Sequence, residues 1–286
     1  MATDQRNLPA HLSGDADFRT WAQGIAAQLA AVGLVKTGDT GQVDLTTAAR
    51  PLANAFAGYE VYRFNDTLQA TAPVFIKVEY GVGGTVTRPS LAMTVGTATN
   101  GAGVLGGQLG ARFVAAPNAE KVAGEQLPSY CSGGPGRVAL FTRVDPVSFT
   151  FSMGMIVERV RGADGVQVGD GVYTLLTYPY TFQYQAIPSS GIMSPVETYA
   201  PALALDKGSL AARGSDIAFS AHVAFLGKAL YALPLTYRKV DVPQLATFQV
   251  THLGALRTYL PLGEALYSYG TTQVAIPAYS LAMPWE

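Results

Sequence analysis

The sequence predicts a mainly β fold: antiparallel sheets in a sandwich-like or barrel-like arrangement, with one N-terminal α-helix. Three observations predict it. Apolar and polar residues alternate over a series of short runs, which is the period of strands that bury one face. Gly, Pro and Asp-Gly punctuate those runs, at the spacing of roughly 10 to 15 residues expected of a sandwich or barrel rather than of βαβ units. Clear helical periodicity is confined to residues 15–33.

In that helix Phe18, Trp21, Ile25 and Leu29 follow at spacings of three and four and so share a face. Ala22, Ala26 and Ala30 add helix propensity. Asp15 or Asp17 is placed to cap the first turn, and Gly33 stands where a left-handed residue closes a helix. The aromatic face has two uses. It docks on the chain's own core, or it is an arm on a neighbouring subunit, with Phe18, Trp21 and Ile25 as contacts. The division expected is a helical segment over 1–36 and a β-rich domain over 37–286.

Residues 37–58 read as loop, with a short helix near Ala48 to Phe56. YEVYRFN (59–65) and SLAMTVGT (90–97) read as strands. PVFIKVEYG (73–81) is cleaner, with Val74, Ile76, Val78 and Tyr80 on one face and Lys77 and Glu79 on the other. Residues 147–157 and 172–186 read as a hairpin with a loop of about ten residues that holds the turn-favouring pairs Asp164-Gly165 and Asp170-Gly171. Pro179 implies an edge or a bulge in the second strand. Five further β-type runs lie at 217–227, 230–240, 245–251, 255–263 and 272–280. Large contact loops are expected near 98–136 and 187–215.

Charged residues make up 14% of the 286 residues while apolar residues make up 49%. Charge near 25% is usual, so the surface is short of Lys and Glu and suited to being covered by partners. The net charge of −1 offers little repulsion against assembly and no basic excess for nucleic acid. The start of the chain has no basic-then-apolar signal pattern. No apolar run approaches the ~18 residues of a membrane helix. The single cysteine, Cys131, excludes an internal disulfide framework.

Candidate chemistry fails on its context. His11, His222 and His252 lack metal-ligand spacing with one another or with Cys131. Cys131 precedes Ser132-Gly133-Gly134-Pro135-Gly136, but no histidine is placed to activate it, so a loop or strand-end thiol is expected. Gly101, Gly103 and Gly106 match G-x-G-x-x-G, yet Gly107 and Gly110 spoil the helix that a dinucleotide site needs. That segment reads as a flexible loop. Asp145, Asp164 and Asp170 are too dispersed for a calcium loop. No catalytic, cofactor-binding or metal-binding residue is assigned, and no enzyme is expected. A carboxylate pair assembled from distant strands is invisible at this level. Tyr173, Tyr178, Tyr180 and Tyr184 fall on one expected strand, and Tyr178, Tyr180 and Tyr184 share a face usable for subunit or glycan contact.

FRTWAQGIAAQLAAVGLVKTGDTGQVDL (18–45), ARPLANAFAGYEVYRFNDTLQATAPVFIKVEYGVG (49–83), SLAMTVGTATNGAG (90–103) and ALRTYLPLG (255–263) together resemble, in order and spacing, virion structural proteins of tailed bacteriophages. The resemblance covers about a third of the chain and carries no catalytic residues. It implies a tail, baseplate or adaptor component that assembles as a homo-oligomer with other virion proteins, in a particle built in the host bacterial cytoplasm. A capsid decoration protein and a receptor- or host-glycan-binding module of the tail are the alternatives. Neither nucleic acid nor membrane is an expected partner, and no cofactor is expected.

Overall fold

Strands dominate the computed structural model, whose described residues are 1–83, 87–108, 112–115, 121–143, 151–161, 166–178, 181–188, 218–225, 228–238, 247–252, 255–269 and 272–286. The fold is mainly β, with antiparallel sheets and one N-terminal α-helix. The chain forms two compact units: Met1–Met155 with Leu176–Pro179, and Ile156–Leu175 with Tyr180–Glu286. The expected helical segment over 1–36 is thus part of the first unit rather than a region of its own.

The first unit opens with β1 (Ala2–Pro9), α1 (Asp15–Ala31), β2 (Val35–Lys36) and β3 (Ala55–Arg63). A 3₁₀ turn (Thr67–Ala70) precedes β4 (Phe75–Gly83) and β5 (Arg88–Gly96). There follow β6 (Ala98–Thr99), β7 (Leu105–Gly106), β8 (Phe113–Ala115), β9 (Gln126–Gly134) and β10 (Arg137–Arg143). One sheet runs β2-β3-β4-β5-β8; β1, β9 and β10 are neighbours in a second; β6 and β7 pair alone. Their pairings are antiparallel.

Helix α1 is held by both larger sheets of this unit. Gly24 sits so close to Leu8 of β1 that a Cβ there would collide with the leucine methyl. The Trp21 ring meets the Tyr80 ring of β4 edge-on at 6.2 Å. Phe18, Trp21, Ile25 and Leu29 are fully covered, each contributing on the order of 2 kcal/mol through burial. The apolar face therefore docks on its own core, and Phe18, Trp21 and Ile25 are packing residues rather than surface contacts. Neither Asp15 nor Asp17 is the N-cap. Gly14 holds that position without a side-chain bond, while Asp17 accepts from the Ser13 N–H at 3.0 Å and Asp15 from the Arg50 N–H at 2.9 Å. The C-terminus is as expected. Gly33 takes φ +95°, and Gly33 N–H→Ala30 O and Leu34 N–H→Leu29 O bonds close a Schellman motif.

Strand β4 also follows the alternation: Val74, Ile76, Val78 and Tyr80 are buried, and Lys77 and Glu79 are half-buried on the other side. Other expectations are corrected. No helix forms over 48–56, because β3 begins at Ala55 and pairs with β4 down to Phe75. The region 98–136 is not one large loop; it contains β6, β7, β8 and β9.

The remaining strands are β11 (Phe151–Arg161), β12 (Gln167–Tyr178), β13 (Thr181–Pro188), β14 (Ala218–Phe225), β15 (Lys228–Arg238), β16 (Phe248–His252), β17 (Ala255–Tyr269) and β18 (Thr272–Pro284). The five C-terminal runs are all strands. In the second unit β15 pairs β14 and β18, and β17 pairs β18 and β16. β11 pairs β12, as the expected hairpin requires. Its connection is shorter than expected, since Asp170 and Gly171 belong to β12 itself. The expected strand over 172–186 is divided into β12 and β13, which pair with each other. Residues 147–150, Asp145, Asp164, Gly165, Pro179 and the expected contact loop from 189 onward lie outside the described residues.

Candidate functional site

A buried polar cluster is built on β3 and β4. Glu60 and Tyr62 are two apart on β3 and so project to one side. Register places Tyr80 of β4 opposite Gly58, the next residue on that side. The hydroxyls of Tyr62 and Tyr80 both donate to Glu60 Oε2, at 2.5 and 2.6 Å. Lys36 of β2 donates to Oε1 at 2.6 Å. Glu60, Tyr62 and Tyr80 are buried, whereas Lys36 remains partly in water.

Burial, then the charge of Glu60, pushes the Tyr62 phenol far above its ordinary value. Burial, then Tyr62 and Glu60, does the same to Tyr80. Both phenols are therefore held neutral as donors, which is what a buried carboxylate needs. With three charge-assisted bonds the carboxylate is well satisfied. The cluster clamps β2, β3 and β4 beneath Trp21. Trp21 Nε1, also buried, has no acceptor among the described residues.

A second carboxylate organises the glycine-rich segment. Asp39 is buried. It accepts from Thr37 Oγ1 at 2.6 Å, from Thr99 Oγ1 and from the Gly103 N–H at 2.9 Å. Burial pushes its carboxyl up, but these donors outweigh it, and the group lies below the usual carboxylate range. The Tyr59 hydroxyl reaches the carbonyls of Thr40 and Ala102, at 2.8 and 3.0 Å. Asn100 Oδ1 accepts from the N–H groups of Ala102 and Val104. Gly101 and Gly103 have φ of +78° and +74°. The segment is thus a tied turn between β6 and β7 rather than a flexible loop. Gly106 lies in β7, which pairs with β6.

Cys131 is in the interior of β9, between Asp4 of β1 and Leu140 of β10, and not at a strand end. Burial, with Asp4 nearby, pushes its thiol far up, so it is a poor nucleophile. The glycines after it are not a loop: Gly134 pairs with Arg137, leaving Pro135 and Gly136 (φ +67°) as a two-residue turn. His11 is near the surface, with Nδ1 2.9 Å from Ser13 Oγ. His222 and His252 lie on β14 and β16. Tyr173 and Tyr178 lie on β12 and Tyr184 on β13, so Tyr178 and Tyr184 do not share one strand; Tyr180 is outside the described residues. Among the described residues no group of three His, Cys, Asp or Glu side chains is arranged to hold a metal ion.

Sequence reasoning missed Glu60 and Asp39. Glu60 had one signal, since Tyr62 and Phe64 share its side of the strand and surround a carboxylate with aromatic surface. Asp39 had none beyond its Thr-x-Asp neighbourhood. No family model, no curated protein and no solved structure matches the chain.

Proposed function

We propose that the chain is a structural component of a tailed-bacteriophage virion, associated with the tail, baseplate or adaptor region and assembling as a homo-oligomer. The observation that carries this reading is the use made of the ionisable groups. Glu60 and Asp39 each take three donors from their own chain, and the one thiol is sealed between strands. These groups hold the fold rather than face a substrate. The 14% charge content supports the same reading, because a surface meant to be covered has little use for Lys and Glu. So does the resemblance of residues 18–105 to virion proteins.

The test is to purify particles from infected host cells and quantify the chain by mass spectrometry, then locate it by immunogold labelling. The expected result is a fixed copy number per particle, in a multiple set by tail symmetry, with label at the tail. Label on the head would support a capsid decoration protein instead. Particles without the chain would overturn the proposal.

A further inference from the structure

We infer that β1 is a self-pairing edge, through which two copies of the chain join into one continuous sheet about a two-fold axis at Gln5. The inference deepens the self-assembly reading above and rests on it, but its test separates the two.

Strand β1 pairs with β9 on one side, from Ala2↔Gly133 to Pro9↔Gln126, without a register shift. Among the described residues it is the end of its sheet, with no strand on its other side. Eight residues make a long edge. Natural edges are guarded by charged side chains, Pro, bulges, short length or a covering element; β1 has no Lys and no bulge, Pro9 is its last residue, and its two charges, Asp4 and Arg6, are of opposite sign. Thr3, Gln5 and Asn7 are exposed.

The direction of the backbone groups follows from Gln28. Its Nε2 donates to Asp4 O at 3.3 Å and to Ser129 O at 3.0 Å. Two carbonyls that share a donor are close together. Pointing to opposite outer sides of the pair they would stand more than about 8 Å apart, given a strand spacing of about 4.8 Å. Both therefore point into the β1–β9 ladder. Direction alternates along a strand, so the N–H and C=O groups of Thr3, Gln5 and Asn7 point outward. Pro9 continues that series, and its missing N–H falls on the open side, where proline is tolerated.

A second copy is the occupant that the charges fit. Asp4 and Arg6 flank Gln5 and form a bidentate pair at 2.7 and 3.1 Å. Antiparallel self-pairing uses the outward residues as hydrogen-bonded pairs, so the two-fold can sit at any central residue of Ala2–Pro9, but only the centres at Gln5 and Arg6 pair about seven residues, and the others pair about five or fewer. Centring on Asp4 sets Asp4 against Asp4, and centring on Arg6 sets Arg6 against Arg6. Centring on Gln5 sets each Asp4 opposite the other copy's Arg6, giving four charges that alternate around the axis. Of the two registers with the longest overlap, only this one is free of directly opposed like charges.

Cysteine substitution reads the register. Cys131 is the single native cysteine and is buried, so background is low. In the Gln5-centred register the two Gln5 Cα atoms are about 5.5 Å apart, within disulfide reach. The two Thr3 Cα atoms are about 14 Å apart. Under mild oxidation Gln5→Cys is expected to form covalent dimers and Thr3→Cys to form none. Gln5→Pro removes an outward N–H without touching the β9 ladder. It is expected to weaken the dimer at least about tenfold in sedimentation with its circular dichroism unchanged. Asp4→Arg should weaken it similarly, and Asp4→Arg with Arg6→Asp should restore it.

Equal cross-linking by Thr3→Cys, or an assembly mass unmoved by Gln5→Pro, overturns the edge while leaving self-assembly standing. A monomer at every concentration overturns both. A Gln5-linked dimer from a chain absent from virions keeps the edge and overturns the virion function.

Discussion

Glu60 draws its donors from β2, β3 and β4, so removing one leaves a buried charge short of a partner. Tyr80→Phe is expected to lower unfolding free energy by about 1.5–3 kcal/mol, the worth of a bond to a charged group. Glu60→Ala is expected to cost more, about 3–5 kcal/mol, since it strands two buried hydroxyls and opens a cavity. Urea titration of the two variants checks the order. Asp39 makes a pH-dependent contribution. Its folded carboxyl lies below its ordinary value, burial notwithstanding, because Thr37, Thr99 and Gly103 donate to the charged form. A lowered value means that the unfolded chain takes up the proton first. The stabilisation is therefore complete above the unfolded value of about 3.9 and is lost as pH falls through the lower folded value. Thermal midpoints of the wild type and Asp39→Asn should differ at pH 7 and converge on acidification below about pH 4. A gap that persists into strong acid would contradict the assignment.

The two glycine-dependent turns differ in what holds them, and this gives them different sensitivities. Gly33→Ala meets no atom of the described residues within 4 Å but must adopt φ +95°, which costs about 1–2 kcal/mol. Gly103→Ala carries φ +74° and also drives a Cβ into the Tyr59 ring, whose hydroxyl is tied to Thr40 and Ala102. Its cost should exceed that of Gly33→Ala by a further ~1–3 kcal/mol of overpacking. Thermal melts of both variants check the ranking. The same two elements show what was legible in the sequence. Helix α1, its Gly33 closure and the alternation of β4 were readable because each depends on residues within a few positions. Strand β1 was not. Its eight residues, ATDQRNLP, hold one large apolar side chain, and its extended form is imposed by pairing with β9 more than a hundred residues away. The end of β12 at Tyr178 and the start of β13 at Thr181 were not legible either, because Pro179 in an otherwise alternating run reads as an edge or a bulge within one strand. The burial of Glu60 was hidden because a charged residue in an alternating run reads as solvent-facing until Tyr80 and Lys36 are brought to it.

For the whole molecule, 19 basic and 20 acidic residues nearly cancel, which bears on what holds copies together. A partner bound through net charge loses affinity steeply with salt. A non-specific nucleic-acid complex loses about 10³–10⁵-fold between 50 and 200 mM. A chain near neutrality has no comparable long-range term to screen. If copies join through backbone bonds along β1 and through apolar contact, salt acts only on the few charges at the seam. Those charges select a register more than they supply affinity. Partly exposed pairs of this kind contribute about 0–1 kcal/mol, so the self-association constant at pH 7 should change by less than about fivefold from 50 to 500 mM NaCl. Sedimentation velocity over a concentration series at each salt measures it. A hundredfold decline would mean that copies associate through fields of opposite charge on their surfaces, and the account of assembly by sheet continuation would have to be given up.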